Sequence, residues 1–249
     1  MPKQTGFLKV EGTLGDVSFY KNKDGFFLRS KGGVSKERIL NDPAFKRTRE
    51  NGSEFKTIAN AGKLFRDANA ILIRKAYDGG LSTRLMQILA RVKNLDAVSL
   101  RGQRLVSEGL ATTAGQALMR GYDLNSRSQL RSVFSAPYDL DVTTGKIIIT
   151  DLVPAEMFDA PPHATHVSLQ TAIAHVDFEA QLSEVAYSPM VTLPIDVAMA
   201  TQSLMPSSVP VATGSLFYLF LVEFSQEVNG VQYALNNGNF NSLTVLEVV

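Results

Sequence analysis

The period of the apolar residues changes once along this chain, near residues 125–130, and that change restricts the fold more than any other feature. Before it, Ile58, Ala61, Leu64, Phe65, Ala68, Ile71, Leu72 and Ala76 recur at the three-and-four spacing of one helix face. Leu85, Met86, Ile88, Leu89, Val92 and Leu95 repeat that spacing within 81–98, and a weaker helix is expected over about 112–120. After it, short apolar runs separated by Gly, Pro and Asn read as strands: 130–134, 138–142, 146–150, 165–174, 175–186, 189–193, 215–227, 231–235 and 243–249. Asn229-Gly230 between two such runs predicts a tight hairpin, because both residues accept a positive φ. Regular short strands with turn signals predict an antiparallel β-sandwich.

The first residues read differently again. Residues 7–11 and 16–20 alternate well enough to be strands, and Asp24-Gly25 predicts a type I′ turn joining about 17–23 to 26–31. Phe19, Tyr20, Phe26 and Phe27 are the candidate anchors of this meander, which at two or three strands must lie on something else. Gly32-Gly33 ends it. A short turn of helix is expected after Ser35, and Asn41-Asp42-Pro43 predicts a helix start with Asp42 as cap and Pro43 in the first position. Asn51-Gly52-Ser53 is expected to interrupt that helix, with Ser53 as a second cap. The expected fold is α+β: an N-terminal β-hairpin or meander, a central α-helical region and a C-terminal antiparallel β-sandwich, divided into domains 1–127 and 128–249.

A net charge of +1 conceals a large asymmetry. Residues 1–133 hold 24 Lys+Arg against 12 Asp+Glu, net +12, whereas residues 134–249 hold Lys146 alone against 12 acids, net −11. Such a swing predicts separate surfaces with separate partners. Arg29, Lys31, Lys36, Arg38, Lys46, Arg47 and Arg49 form the densest basic stretch, continued by Lys56, Lys63, Arg66, Arg74 and Lys75. Three readings follow: a solvated helical surface, a polyanion contact whose binding would be strongly salt dependent, or attraction to the acidic half. If basic and acidic surfaces occupy different ends of one molecule, copies attract head to tail and the contact propagates. The same charges used inside one molecule, between its domains, are the competing arrangement.

Motifs for chemistry are absent. With no cysteine there are no disulfides and no thiolate metal sites, which fits a reducing compartment. His163-x-x-His166 follows two prolines. His175, Asp177 and Glu179 would share one strand face, with Val176, Phe178, Ala180 and Leu182 opposite, which is how any half-buried strand looks. No metal is expected there. Gly62-Lys63 lacks the earlier glycine and the following hydroxyl of a phosphate loop, since Thr57 and Leu64 stand in those places. No nucleophile elbow occurs. No cofactor and no enzymatic activity are expected. The N-terminus lacks a secretory apolar region and the longest apolar run, 216–222, is too short for a bilayer. Cytoplasmic synthesis is expected, with release into an extracellular assembly left open.

Several strings resemble an uncharacterised family of Bacteroidetes proteins of similar length. They are Gly12-Thr-Leu-Gly-Asp-Val-Ser-Phe-Tyr-Lys21 with Asp24-Gly25, Arg29 and Lys31-Gly-Gly-Val-Ser, and Asp42-Pro-Ala-Phe-Lys-Arg-Thr-Arg-Glu-Asn-Gly-Ser-Glu-Phe55. Arg101-Gly-Gln-Arg104 and Val222-Glu-Phe-Ser-Gln-Glu-Val-Asn-Gly-Val-Gln-Tyr233 are similar to it as well. The resemblance implies a shared fold and a bacterial or phage-derived origin, and it carries no activity. The expected function is a non-enzymatic structural subunit that self-assembles head to tail into a filament, tube, shell or virion-like particle. Its contact residues are expected to be Phe19, Tyr20, Phe26, Phe27, Arg29, Lys31, Lys36, Arg38, Lys46, Arg47 and Arg49. A nucleic-acid-binding protein using the same basic segment is the alternative.

Overall fold

A computed structural model describes residues 2–30, 32–211, 213–235 and 238–249. The fold is α+β, and the chain forms two compact units, Met1–Glu50 and Asn51–Val249. The division therefore falls at residue 50 rather than near 127.

In the N-terminal unit, β1 (Gly12–Leu14), β2 (Val17–Asn22) and β3 (Gly25–Ser30) form an antiparallel sheet in that order. The hairpin stands where expected, but its turn is shifted by one residue. Asn22 pairs with Gly25, so Lys23 and Asp24 form the tip, and the positive φ of +123° falls on Gly25. Asn22 Oδ1 accepts from the Asp24 N–H at 2.9 Å, a local bond that fixes the tip without a type I′ geometry. Residues 7–11 are not a strand. Phe7 is 95% exposed there, and the third strand is Gly12–Leu14 instead. A single bridge, Lys3 to Phe27, lines the far side of β3. Lys31 lies outside the described residues.

Next come α1 (Lys36–Asn41), capped by the Ser35 hydroxyl, and a 3-10 turn at Pro43–Phe45, capped by Asp42 through the Ala44 N–H. The Asp42 cap was legible from residue type, because the bond is local. The chain then enters α2 (Lys46–Ala68), which runs without a break through Asn51, Gly52 and Ser53. The buried row Glu54, Ile58, Ala61 and Phe65 lies on this one helix, and burial of that row outweighs the weak propensity of Asn and Gly. The break falls at Asn69 instead, whose Nδ2 donates to the Phe65 carbonyl at 2.9 Å. Beyond it are α3 (Ala70–Lys75), α4 (Leu81–Lys93), α5 (Val106–Leu110) and α6 (Thr113–Met119). The helices expected over 81–98 and about 112–120 are α4 and α6, whereas α5 has too short a pattern to be read.

The strands that follow are β4 (Tyr122–Asp123), β5 (Asp139–Asp141), β6 (Lys146–Leu152), β7 (His166–Asp177), β8 (Leu182–Tyr187), β9 (Val191–Pro194), β10 (Ala200–Leu204), β11 (Ser215–Val228), β12 (Val231–Ala234) and β13 (Ser242–Val248), with single-turn helices α7 (Leu130–Val133) and α8 (Pro154–Met157) between. The segment 130–134 is thus helical rather than extended: Asp123 Oδ1 accepts from the Leu130 N–H at 3.1 Å and holds the start of the turn. The expected strands 165–174 and 175–186 are one long strand, β7, and its return, β8. At the β11–β12 turn Asn229 and Gly230 both have positive φ, as the sequence predicts.

The large sheet runs β4-β13-β11-β7-β8, with β12 added to β11 and β9 to β7. The small sheet is β10-β6-β5. Alternation along β7 and β11 gives the large sheet two buried faces. Ala172, Ala174, Val176, Phe217, Leu219 and Leu221 meet Phe65, Leu72, Leu85, Leu89 and Leu110 of the helices. Val167, Leu169, Phe220, Val222 and Phe224 meet Ile147, Ile149 and Leu204 of the small sheet. The helices therefore form a third layer of the same unit, on the side of the large sheet opposite the small one. Gly109 is required where α5 meets α4: a Cβ there would lie 2.2 Å from the Val92 carbonyl oxygen.

Buried charges tie the loops to these layers. The Lys93 ammonium pairs with Glu54, and Glu54 Oε1 also accepts from the Gly102 N–H at 2.8 Å. Asp96 accepts from the backbone of Val98, Ser99 and Leu105 at 2.8–2.9 Å. Burial pushes its carboxyl up, but those donors outweigh it and hold the pKa at about 2. Asp78 is held well below the usual carboxylate range: burial opposes the charge, but Gly80, Ser126 and Arg84 donate to it.

Candidate interaction surfaces

The register of β2 and β3 sorts the expected contact residues onto two faces. Phe19 pairs with Leu28 and Lys21 with Phe26, so those four share a face with Val17 and Leu14. Tyr20 pairs with Phe27, and their rings stack with centroids 6.0 Å apart on the other face. Arg29 lies 5.6 Å over the Tyr20 ring, Lys3 5.5 Å over Phe27, and Lys21 5.2 Å over Phe26. Cation–π contacts at exposed sites are worth about 0.5–1 kcal/mol each. The four aromatics thus do not form one patch. They lie two on each face, and a cation covers a ring on both: Lys21 over Phe26 on one, Lys3 over Phe27 and Arg29 over Tyr20 on the other.

The remaining basic residues divide by role. Arg49 Nη1 donates to the carbonyls of Ile39 and Asp42 at 2.7 and 2.9 Å, which ties α2 to α1. Arg38 pairs with Asp42 at 3.1 Å and lies over Phe45. Lys36, Lys46 and Arg47 are exposed. The unit holds 11 Lys+Arg against 6 Asp+Glu, net +5, leaving 14 against 18, net −4, in the main unit. Among the described residues of the main unit two pairs join the basic and acidic halves of the chain: Lys75 with Glu223 at 3.1 Å and Arg120 with Glu247 at 2.6 Å. Part of the charge asymmetry is therefore used inside one molecule.

Sequence reasoning found no cleft, yet the main unit has two of note. One, of about 530 Å³, lies between α5–α6 and the ends of β7 and β11. Its walls carry Glu108, Asp177 and Glu179, and no lysine, arginine or histidine among the described residues. Asp177 Oδ1 accepts from the Glu179 and Ala180 N–H groups and its Oδ2 from the Thr213 hydroxyl, which together hold its pKa low. Ser107 Oγ donates to Glu179 at 2.9 Å. Phe178 and Leu110 supply apolar wall. Such a cleft offers carboxylates and hydroxyls to a cation with an apolar body.

The second cleft, of about 460 Å³, is bounded by α6, α7 and β13. Arg120 stands at its side with Nε and Nη2 fixed on Glu247 Oε1 at 2.9 and 2.6 Å, and Arg131 lies on its exposed rim. Tyr138 lines it, its hydroxyl pushed up by burial.

The histidines do not converge. His175 is buried and contacts the Thr213 carbonyl, Asp177 ends β7 on the same face, and Glu179 has already turned away to Ser107. His166 lies 3.4 Å from Glu227, while His163 sits in a loop at φ +71°. Among the described residues no group of three His, Asp or Glu could hold a metal ion. No helix there is long and apolar enough to cross a membrane.

These features define a two-unit α+β chain with a cation-studded N-terminal sheet and an acidic cleft in the main unit. Comparison with protein families, curated proteins and solved structures finds no match to this chain.

Proposed function

We propose that this chain is a structural subunit that associates with copies of itself, its basic N-terminal unit meeting an acidic surface of a neighbour. One observation carries this reading. Among the described residues of Met1–Glu50 only Phe27 is a buried apolar residue, whereas Phe7, Leu8, Val10, Leu14 and Leu40 are more than half exposed. A three-stranded sheet needs a buried apolar face to be stable, and this one leaves Leu14 78% exposed on its apolar side. The unit therefore gains by being covered. Two N-terminal units face to face would set a net +5 against a net +5, so an oppositely charged partner surface is favoured, and residues 134–249 carry net −11. A contact between unlike surfaces is heterologous and propagates into a filament, tube, shell or virion-like particle as its rotation dictates. No catalytic step belongs to this reading, and a bacterial or phage-derived origin suits it.

Nucleic acid is the second reading, favoured by Lys21 and Arg29 lying over aromatic rings at the sheet surface, an arrangement of the kind that accepts stacked bases and phosphates. Light-scattering mass after size exclusion, at low and high salt and after nuclease treatment, separates the two. The expected result is a multimer that survives nuclease and loosens in high salt. A salt-indifferent monomer would refute self-association, and a complex lost on nuclease treatment would establish the second reading.

A further inference from the structure

We infer that residues 7–10 (Phe-Leu-Lys-Val) of one copy seat in the acidic cleft of the next. The inference rests on the self-association reading and specifies its contact. The loop is presented rather than slack. Gln4 Nε2 donates to the Val10 carbonyl at 3.0 Å, and Gln4 Oε1 accepts from the Val10 N–H at 2.9 Å, so a single side chain clamps the loop shut at its base. Phe7 and Leu8 project from it at 95% and 72% exposure. Ordering cost on docking is correspondingly small. Among the described residues the Lys9 ammonium reaches only the Gln4 carbonyl, a neutral acceptor that a carboxylate can replace with gain.

The cleft is complementary in both respects. Its volume, about 530 Å³, lies in the range of pockets that bury a compact group. Half-buried Phe178, with exposed Ala111 and Ala180, offers apolar contact for Phe7 and Leu8. Glu108 makes no side-chain hydrogen bond or ion pair among the described residues, and Glu179 makes one, from Ser107. An adjoining cleft of about 340 Å³ shares Ser107, Phe178 and Glu179 and also carries no basic residue, which extends the groove beyond one side chain. Three carboxylates without a cation repel a phosphate and favour an ammonium beside an aromatic ring. A segment of that composition is what the N-terminal unit, net +5, presents.

The absence of cysteine makes a direct test available. Full-length Leu8→Cys chains are mixed with full-length Ala111→Cys chains, oxidised mildly and run on a non-reducing gel. A mixed disulfide dimer is the expected main product, well above that formed when Leu40→Cys replaces Leu8→Cys. Glu108→Lys with Glu179→Lys should lower its yield about tenfold, equivalent to about 1.4 kcal/mol of lost affinity. Lys9→Glu on the partner should restore it, and that rescue rules out misfolding of the reversed chain. A wild-type multimer that gives no mixed dimer above the control overturns this contact and leaves self-association standing. A monomeric wild-type chain overturns both. A Leu8→Cys, Ala111→Cys double variant that closes only on itself places the loop in its own cleft and also overturns the proposal.

Discussion

The hairpin of β2 and β3 and the central pair of β7 and β11 are both antiparallel ribbons, and both are rich in aromatic residues. They differ in what lies above and below them. On β11, Phe217, Tyr218, Phe220 and Phe224 are all at most 1% exposed, because helices cover one face and the small sheet the other. On β2 and β3, four aromatic residues yield one buried ring, Phe27 at 8%. Strand pairing is thus available to both from backbone bonds and local turns, while stability of tertiary origin is concentrated in one. The exposed ribbon is the one that carries the cations. On the self-association proposed above, a neighbouring copy would cover that ribbon.

Phe217→Ala tests that contrast hardest. Its ring lies 5.0 Å from Phe65 and 6.2 Å from Phe178, edge to face in both cases. Truncation should cost about 3–5 kcal/mol, seen as a large fall in the denaturant midpoint. A loss under about 1 kcal/mol would mean that the helices and the large sheet are less tightly joined than their shared core implies.

A smaller effect comes from pH. The Asp96 pKa of about 2 lies below its ordinary value of 3.8, so folding favours the charged form. The stability it contributes is present above about pH 4 and is lost as pH falls through the folded value near 2, on the order of 1–2 kcal/mol. Asp96→Asn should lower stability at neutral pH and flatten the pH dependence between 4 and 2. An unchanged acid limb would show that its backbone donors do not act as described.

The least effect on the main unit should come from Phe27→Ala. Its loss should move the global midpoint by less than about 0.5 kcal/mol while abolishing amide protection in β2 and β3 in the monomer. Equal destabilisation of both units would break the comparison.

Legibility followed the range of the forces. Asp42 as a cap, and Asn229-Gly230 as a turn, were readable because each acts within three residues. The hairpin was readable too, but not its turn register, since Asn22 bonding to the Asp24 N–H competes locally with the Asp-Gly signal. The break expected at Asn51-Gly52-Ser53 did not occur, because Glu54, Ile58, Ala61 and Phe65 on that helix are buried by other elements. The acidic cleft was illegible. Glu108 comes from α5, while Asp177 and Glu179 come from the end of β7 and its turn.

By itself, then, the sequence determined that a hairpin comes first, that helices follow it and further strands follow them, and that charge is divided between the two ends of the chain. Composition, periodicity and turn chemistry are local and survive in any fold the chain adopts. Only the tertiary structure decided that the helices cover one face of the large sheet and the small sheet the other, that the packing divides at residue 50, and that three carboxylates share one cleft. Those outcomes depend on which apolar faces find each other across more than a hundred residues, a choice made by burial and close packing rather than by any neighbour in sequence.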